Sequence, residues 1–239
     1  MASLAGRTAI VTGASKGIGA EIARHLAKAG VRVALASRDK SLLEEVAGSI
    51  GNSAMALECD ITDEKSVANA ASRLRKEFGG APDIVVNNAG LFRVGSIDEL
   101  EPEDFIGSIT TNVIGPFLVM HEFLAEMRKR GSGHVITIGS MGDRTIYPGN
   151  AAYSAGKFGI RAMHYVLRTD LRGTGVRASL ISPGSVDTAL WDHLDTESAE
   201  SEFPSRSEML SPADVARAVM FALTQPDSVN VEELRISRS

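Results

Sequence analysis

A strand-like run, Thr8–Thr12, stops at Gly13-Ala14-Ser15-Lys16-Gly17-Ile18-Gly19, and a helical pattern carries on from Gly17 to about Ala29. A helix opening on such a loop turns unpaired backbone N–H groups and the positive end of its macrodipole towards whatever sits above the strand, which suits an anion such as a pyrophosphate. Glycine meets three needs at that junction: the tight turn, close approach of backbone to phosphate, and close packing of helix on strand. The arrangement belongs to the nucleotide-binding half of a doubly wound α/β sheet. Strand and helix alternation without it would equally suit a barrel of eight βα units.

The rest of the chain supplies the elements such a sheet needs. Arg32–Ser37 precedes a helical stretch at 40–50, and Ala54–Glu58 precedes another at 64–78. Short runs rich in Val and Ile return at Ile84–Asn87, 134–138, 177–181 and 231–236, between helical patterns at about 102–130, 153–172 and 212–224. Seven strands with helices between them predict a parallel sheet covered on both faces, because parallel neighbours need crossover connections and these are nearly always right-handed. The expectation is one Rossmann-type α/β domain over residues 1–239, with no internal repeat or interdomain linker. Residues 192–210 are rich in Ser, Glu and Asp and lack core-like periodicity, so a mobile substrate lid is expected at about 188–211.

Composition narrows the function. The formal charge of -5 offers no basic stripe, so nucleic acid is not an expected partner. No apolar stretch approaches the ~20 residues that span a bilayer. Residues 1–7 run straight into the first strand, and the expectation is a cytoplasmic protein with no membrane partner. Cys59 is the only cysteine, which excludes an intramolecular disulfide and any multi-cysteine zinc site and fits a reducing compartment. It ends an apolar run, where a small buried hydrophobe is expected. His25, His121, His134, His164 and His193 show no H-x-x-x-H spacing, so no catalytic metal is expected.

The glycine spacing is G-x-x-x-G-x-G. Further motifs are Asp60-Ile61 after the third strand, Asn87-Asn88-Ala89-Gly90 after the fourth, Asn112, Ser140, Tyr153-Ser154-Ala155-Gly156-Lys157 and Pro183-Gly184. Together these resemble the short-chain dehydrogenase/reductase family over nearly the whole chain, which implies hydride transfer between a nicotinamide cofactor and a carbonyl or alcohol. By that resemblance the loop residues Gly13, Ser15, Lys16, Gly17, Ile18 and Gly19 contact the cofactor, and Asp60 and Ile61 border the adenine. Asn88, Ala89 and Gly90 line the adenosine ribose and the loop above it. A helix N-cap is the other reading of Asp60, although the next helix starts later, at Thr62 or Asp63.

Charge favours NADP(H). Ser37 stands where a carboxylate would grip the 2′-hydroxyl of NAD, and Arg38 follows it. A carboxylate there repels a 2′-phosphate, whereas a guanidinium attracts it and can donate two bonds. In family members that use NADPH, residues placed as Ser15 and Lys16 are lie close to the same phosphate. Asp39 would oppose the preference if it turned inward, and simple solvation of Arg38 and Lys16 is the alternative.

Tyr153 and Lys157 are four residues apart in a helical pattern, hence on one face and within reach of a shared ligand. A free tyrosine, with a pKa of about 10, is a sluggish acid–base group near neutrality. A neighbouring ammonium and an oxidised nicotinamide both favour phenolate, letting the phenol give a proton to a carbonyl oxygen in reduction and the phenolate accept one in oxidation. Such a pair is by itself a common surface contact. Ser140 strengthens it, since it ends the fifth strand and parallel sheets place their ligands at the carboxyl ends of strands. By the resemblance, Ser140 hydrogen-bonds the substrate oxygen, Lys157 beside Tyr153 also holds the nicotinamide ribose, and Asn112 positions a water in a proton relay. For an Asn in a helical stretch, a bend or a backbone bond is the alternative. Pro183, Gly184, Val186 and Thr188 are similar to the family's clamp on the nicotinamide carboxamide, which implies transfer from the pro-S face; Thr188 also suits a cap on the following turn.

Met141, Arg144, Tyr147, Leu190 and Trp191, with Phe92 and Arg93, are expected to form the substrate pocket. The mix suits a moderately apolar carbonyl compound, with Arg144 or Arg93 available for a carboxylate or phosphate, and packing or solvation as the alternative for each. The Asn-Ser-Tyr-Lys set supports a carbonyl reductase or alcohol dehydrogenase acting on a small molecule. A 3-oxoacyl thioester reductase is a second reading, weakened because 229–236 lacks the paired glycines typical of 3-oxoacyl-carrier-protein reductases and no basic docking patch is visible. A non-catalytic NADP(H)-binding protein is a third, and the presence of both Tyr153 and Lys157 argues against it. Phe117, Leu118, Phe158, Met163 and Val166 exceed what one sheet face needs, with ordinary burial as the alternative; the resemblance implies a homodimer or homotetramer.

Overall fold

The computed structural model describes residues 2–192, 194 and 203–239. Its elements run β1 (Thr8–Thr12), α1 (Gly17–Lys28), β2 (Arg32–Ser37), α2 (Lys40–Ile50), β3 (Ala54–Glu58), α3 (Glu64–Phe78) and β4 (Ile84–Asn87). Then come α4 (Pro102–Ile109), α5 (Gly115–Arg130), β5 (Gly133–Ile138), α6 (Ala151–Asp170), β6 (Val176–Pro183), α7 (Pro212–Leu223) and β7 (Glu233–Ile236). All pairings are parallel, in the order β3-β2-β1-β4-β5-β6-β7. The fold is a doubly wound, Rossmann-type α/β sheet.

Side chains alternate across each strand, so the sheet feeds two cores. Ala9 and Val11 of β1, Ile84 and Val86 of β4, and Ile136 and Ile138 of β5 pack with α1, α2 and α7. Ile10, Val85 and Val135, one register step away, pack with α3, α5 and the end of α6 on the other face. A residue inserted in any of these strands would exchange the two sets. Between β1 and β4 the direction of winding reverses, with Val11 paired to Leu35 on one side and to Val86 on the other. The loops after these strands therefore lead to opposite faces and leave a crevice above the strand ends.

The helical pattern expected over 102–130 is broken. A π-turn at Thr110–Ile114 separates α4 from α5, and the Gly115 N–H reaches back to the Thr110 carbonyl. Pro116 supplies the cause: it has no N–H for the Asn112 carbonyl, and its ring would clash there in a regular helix. Residues 193 and 195–202, the middle of the expected lid, lie outside the described residues. The two ends of that excursion are fastened together, with Asp187 N–H donating to the Leu210 carbonyl (2.8 Å) and Leu210 N–H to the Ser185 carbonyl (2.9 Å). No helix among the described residues is long and apolar enough to cross a membrane.

Candidate active site

A cleft of about 950 Å³ lies over the carboxyl ends of β1, β4, β5 and β6. At its first end, α1 has no acidic residue in its first turn and no side chain capping its amides. Those N–H groups are available to an anion. The glycines are sterically required. A Cβ on Gly19 would stand 2.3 Å from the Gly13 carbonyl oxygen and 2.6 Å from Asn88 Nδ2, and Gly13 holds φ +65°. This tight cradle fits a dinucleotide pyrophosphate.

Thr12, which sequence reasoning passed over, fixes the cradle to the neighbouring strand. Its hydroxyl accepts from the backbone N–H groups of Asn88 (3.0 Å) and Ala89 (3.1 Å) and donates to the Val86 carbonyl (3.3 Å). Asn88 Nδ2 donates to the carbonyls of Thr12 (2.9 Å) and Gly13 (3.3 Å). Asn88 therefore borders the cleft with its amide engaged in holding the loop, beside Ala89 and Gly90. A polar residue just before the first glycine was the available signal.

Further out, Ser15 and Ser37 line the cleft and are joined, Ser37 Oγ donating to Ser15 Oγ at 3.1 Å. Lys16 and Arg38 are exposed on its rim, and Ile18 also borders it. Asp39 turns away to cap α2, accepting from Leu42 N–H at 3.0 Å. Asp60 and Ile61 line the cleft, and Asp63, not Asp60, caps α3. Burial pushes the Asp60 carboxyl up, but bonds from the Thr62 hydroxyl and N–H and the nearby Arg38 charge outweigh it and hold the group below its usual range. Cys59 is buried and its thiol is pushed up to about 11 by burial and the Asp60 charge, so it is inert at neutral pH.

At the other end Ser140, Tyr153 and Lys157 converge. Ser140 is hydrogen-bonded to the Tyr153 phenol and accepts from Gly142 N–H at 3.0 Å. Lys157 is buried, lies 5.6 Å from the Tyr153 ring centroid, and donates to the Ile138 carbonyl at 3.1 Å. The expected lowering of the tyrosine pKa is not produced by the protein's own groups. Burial and the Asp143 charge push Tyr153 up to about 12 against the pull of Ser140, while burial pushes Lys157 down to about 8. Desolvation disfavours both ions at once.

Asn112 sits in the π-turn with its side chain spent on the backbone. Its Oδ1 accepts from Leu91 N–H (3.2 Å), and its Nδ2 donates to the Leu91 carbonyl (2.9 Å) and to Ser108 Oγ (3.1 Å). The side chain thus bonds mainly to the backbone of the loop after β4. Gly156 lets α6 come close, since a Cβ there would stand 2.9 Å from Asn112 Cβ.

Pro183, Gly184, Val186 and Thr188 line the cleft, and Thr188 also caps the following turn, accepting from Leu190 N–H at 3.4 Å. Of the expected substrate residues, Met141, Tyr147, Leu190 and Trp191 line it together with Phe92. Arg144 does not. Its guanidinium is held between Asp143 (2.6 Å) and Glu233 (2.6 Å). Arg93 is likewise paired with Asp104 at 3.1 Å, outside the cleft lining. Both were expected as pocket residues; a buried carboxylate on β5's exit turn and a surface one on α4 take them instead. Phe203 joins the wall, 5.7 Å from Trp191, and its place in the aperiodic stretch hid it. Among the described residues no group of three or more His, Cys, Asp or Glu could hold a metal ion.

A family model described as short chain dehydrogenase matches residues 7–199. An uncharacterized oxidoreductase of Staphylococcus saprophyticus is 37% identical, covering 99% of each chain. Among solved structures, a metagenomic short-chain oxidoreductase in complex with NADP is similar at TM-score 0.85 and 30% identity, covering 100% of this chain and 99% of its own. A 3-ketoacyl-(acyl-carrier-protein) reductase from Brucella melitensis complexed with NADH reaches TM-score 0.88 at 29% identity, covering 98% of each.

Proposed function

Because the chain belongs to the short-chain dehydrogenase family, we propose that it is an NADP(H)-dependent oxidoreductase interconverting a carbonyl and an alcohol. The carrying observation is the convergence of Ser140, Tyr153 and Lys157 in the same cleft as an uncapped helix N-terminus on a glycine cradle. When bound, the cofactor supplies the hydride in reduction and accepts it in oxidation.

The residues divide the remaining work. Ser140 holds the substrate oxygen beside the Tyr153 phenol, which donates its proton as the carbonyl carbon gains hydride; oxidation runs the same steps in reverse. Lys157 keeps positive charge near the phenolate and offers its ammonium to the nicotinamide ribose. Asn112 keeps α6 and the loop after β4 in register, which positions Tyr153 and Lys157. Pro183, Gly184, Val186 and Thr188 border the carboxamide, and delivery from the pro-S face is the stereochemical expectation.

Lys16, Arg38, Ser15 and Ser37 support NADP(H) over NAD(H): Lys16 and Arg38 form no ion pair among the described residues, and Asp39 is committed to α2. We also propose a homo-oligomer. Phe117, Phe158 and Val166 remain 49%, 38% and 60% exposed, while Leu118 and Met163 are packed against the core.

The test follows absorbance of reduced nicotinamide with NADPH and NADH in parallel over aldehydes, ketones and 3-oxoacyl thioesters. Turnover preferring NADPH and lost in Tyr153→Phe is expected. Undiminished turnover in that variant would sink the mechanism, and an NADH preference would sink the cofactor assignment.

A further inference from the structure

We propose that the substrate end of the cleft selects uncharged aromatic carbonyl compounds and excludes anionic ones, a statement that rests on reading the cleft as a hydride-transfer site. A wall of rings runs outward from the proton donor. Phe92 meets Tyr153 edge-on at 4.7 Å between centroids, Trp191 meets Phe92 at 5.1 Å, and Phe203 meets Trp191 at 5.7 Å. The Trp191 Nε1–H is spent on the Val186 carbonyl at 3.0 Å. The indole therefore offers the cleft its ring, and Met141 and Leu190 add further apolar surface. An aromatic substrate gains offset or edge-on ring contacts there in addition to burial.

Among the described residues, no lysine or arginine lining this end is left for an anion. The lysines and arginines lining the cleft are Lys16 and Arg38, at the adenosine end, and Lys157, bonded to the Ile138 carbonyl. Arg144 is held by Asp143 and Glu233, and Arg93 by Asp104. Arg206 is bracketed by Asp187 (2.8 Å) and Asp192 (2.8 Å). Arg235 touches Met141 Sδ at 3.7 Å but is not among the residues lining the cleft. A carboxylate entering this wall would lose its hydration without gaining a partner. A free acid substrate meets the same obstacle.

Acetophenone, methyl 4-acetylbenzoate and 4-acetylbenzoate separate charge from size, because the ester is larger than the acid it replaces. With NADPH, kcat/KM for the two neutral ketones should exceed that for the carboxylate by about tenfold or more. Leu190→Arg, at a wall position 39% exposed, should raise kcat/KM for the carboxylate and narrow that gap. Equal handling of ester and carboxylate, or no response to Leu190→Arg, overturns the proposal. Trp191 is the only tryptophan of the chain, so its fluorescence reports binding of the same compounds to the NADP-bound protein without turnover. Tighter neutral binding with no reduction would retain the selectivity and reject the hydride-transfer reading. Equal or tighter carboxylate binding, or binding of none of the three, would reject the selectivity itself.

Discussion

Tyr153 and Lys157 illustrate how little a residue's identity says about its charge. Spacing put them on one helix face, and burial then drove their pKa values apart, Tyr153 up to about 12 and Lys157 down to about 8. On the proposed reaction, reduction needs the phenol and oxidation the phenolate. With the phenol protonated far above neutrality, kcat/KM for carbonyl reduction should stay level around neutral pH and fall as pH rises through about 8, where Lys157 loses its charge. Alcohol oxidation should rise with pH, by up to about tenfold per unit. A flat oxidation profile would show that Tyr153 is not the titrating base. Arg144 teaches the converse lesson. In the sequence it neighbours pocket residues, yet its partner Glu233 lies on β7, a pairing that no local pattern announces.

At the scale of elements, caps and breaks decide what each helix end can do. α2 begins on Asp39 with its carboxylate bonded to Leu42 N–H, whereas α1 begins on Lys16 with no such bond. The first end is closed and the second is open to a phosphate. Asp39→Ala should therefore cost about 0.5–2 kcal/mol in chemical denaturation, as cap removals do, while NADPH remains preferred over NADH. Arg38→Asp should do the opposite: little loss of stability, and a shift of preference towards NADH by about tenfold or more, read from the ratio of kcat/KM values. If Asp39→Ala instead changed the preference, the charge of Asp39 would have to reach the 2′ position. The π-turn belongs at this scale too. Gly115-Pro116 was visible in the sequence, but a proline also fits the first turn of a new helix, and only the structure shows that the backbone stays helical from α4 through the π-turn into α5.

Across the whole molecule, two histidines tie stability to pH. His134 on β5 is bonded to Ser179 of β6, and His164 on α6 to Thr137 of β5; burial pushes their pKa values down to about 3 and about 4. The unfolded chain takes up those protons near its ordinary value of about 6.5 while the folded chain refuses them. Their contribution is therefore complete above that value and is lost as pH falls through the folded values. Stability should drop below pH ~6.5 by on the order of 1.4 kcal/mol per unit for each histidine. Denaturant midpoints at stepped pH measure the slope, and His164→Asn should flatten it. The exposed Phe117 and Val166 give a second whole-molecule expectation. Phe117→Glu should shift the sedimentation coefficient towards the monomer, and an unchanged value would mean that this face is not an interface.

The sequence by itself determined the strand and helix order, the parallel sheet and the glycine cradle, because these follow from periodicity and from spacing within a few residues, and its resemblance to the family pointed to the Ser, Tyr and Lys. Tertiary structure alone decided which arginines remain available, what Asn112 bonds to, how Thr12 locks the cradle to β4, and which charges burial suppresses. Each of these depends on groups distant along the chain competing for one partner or one volume. Short-range pattern carries no record of that competition.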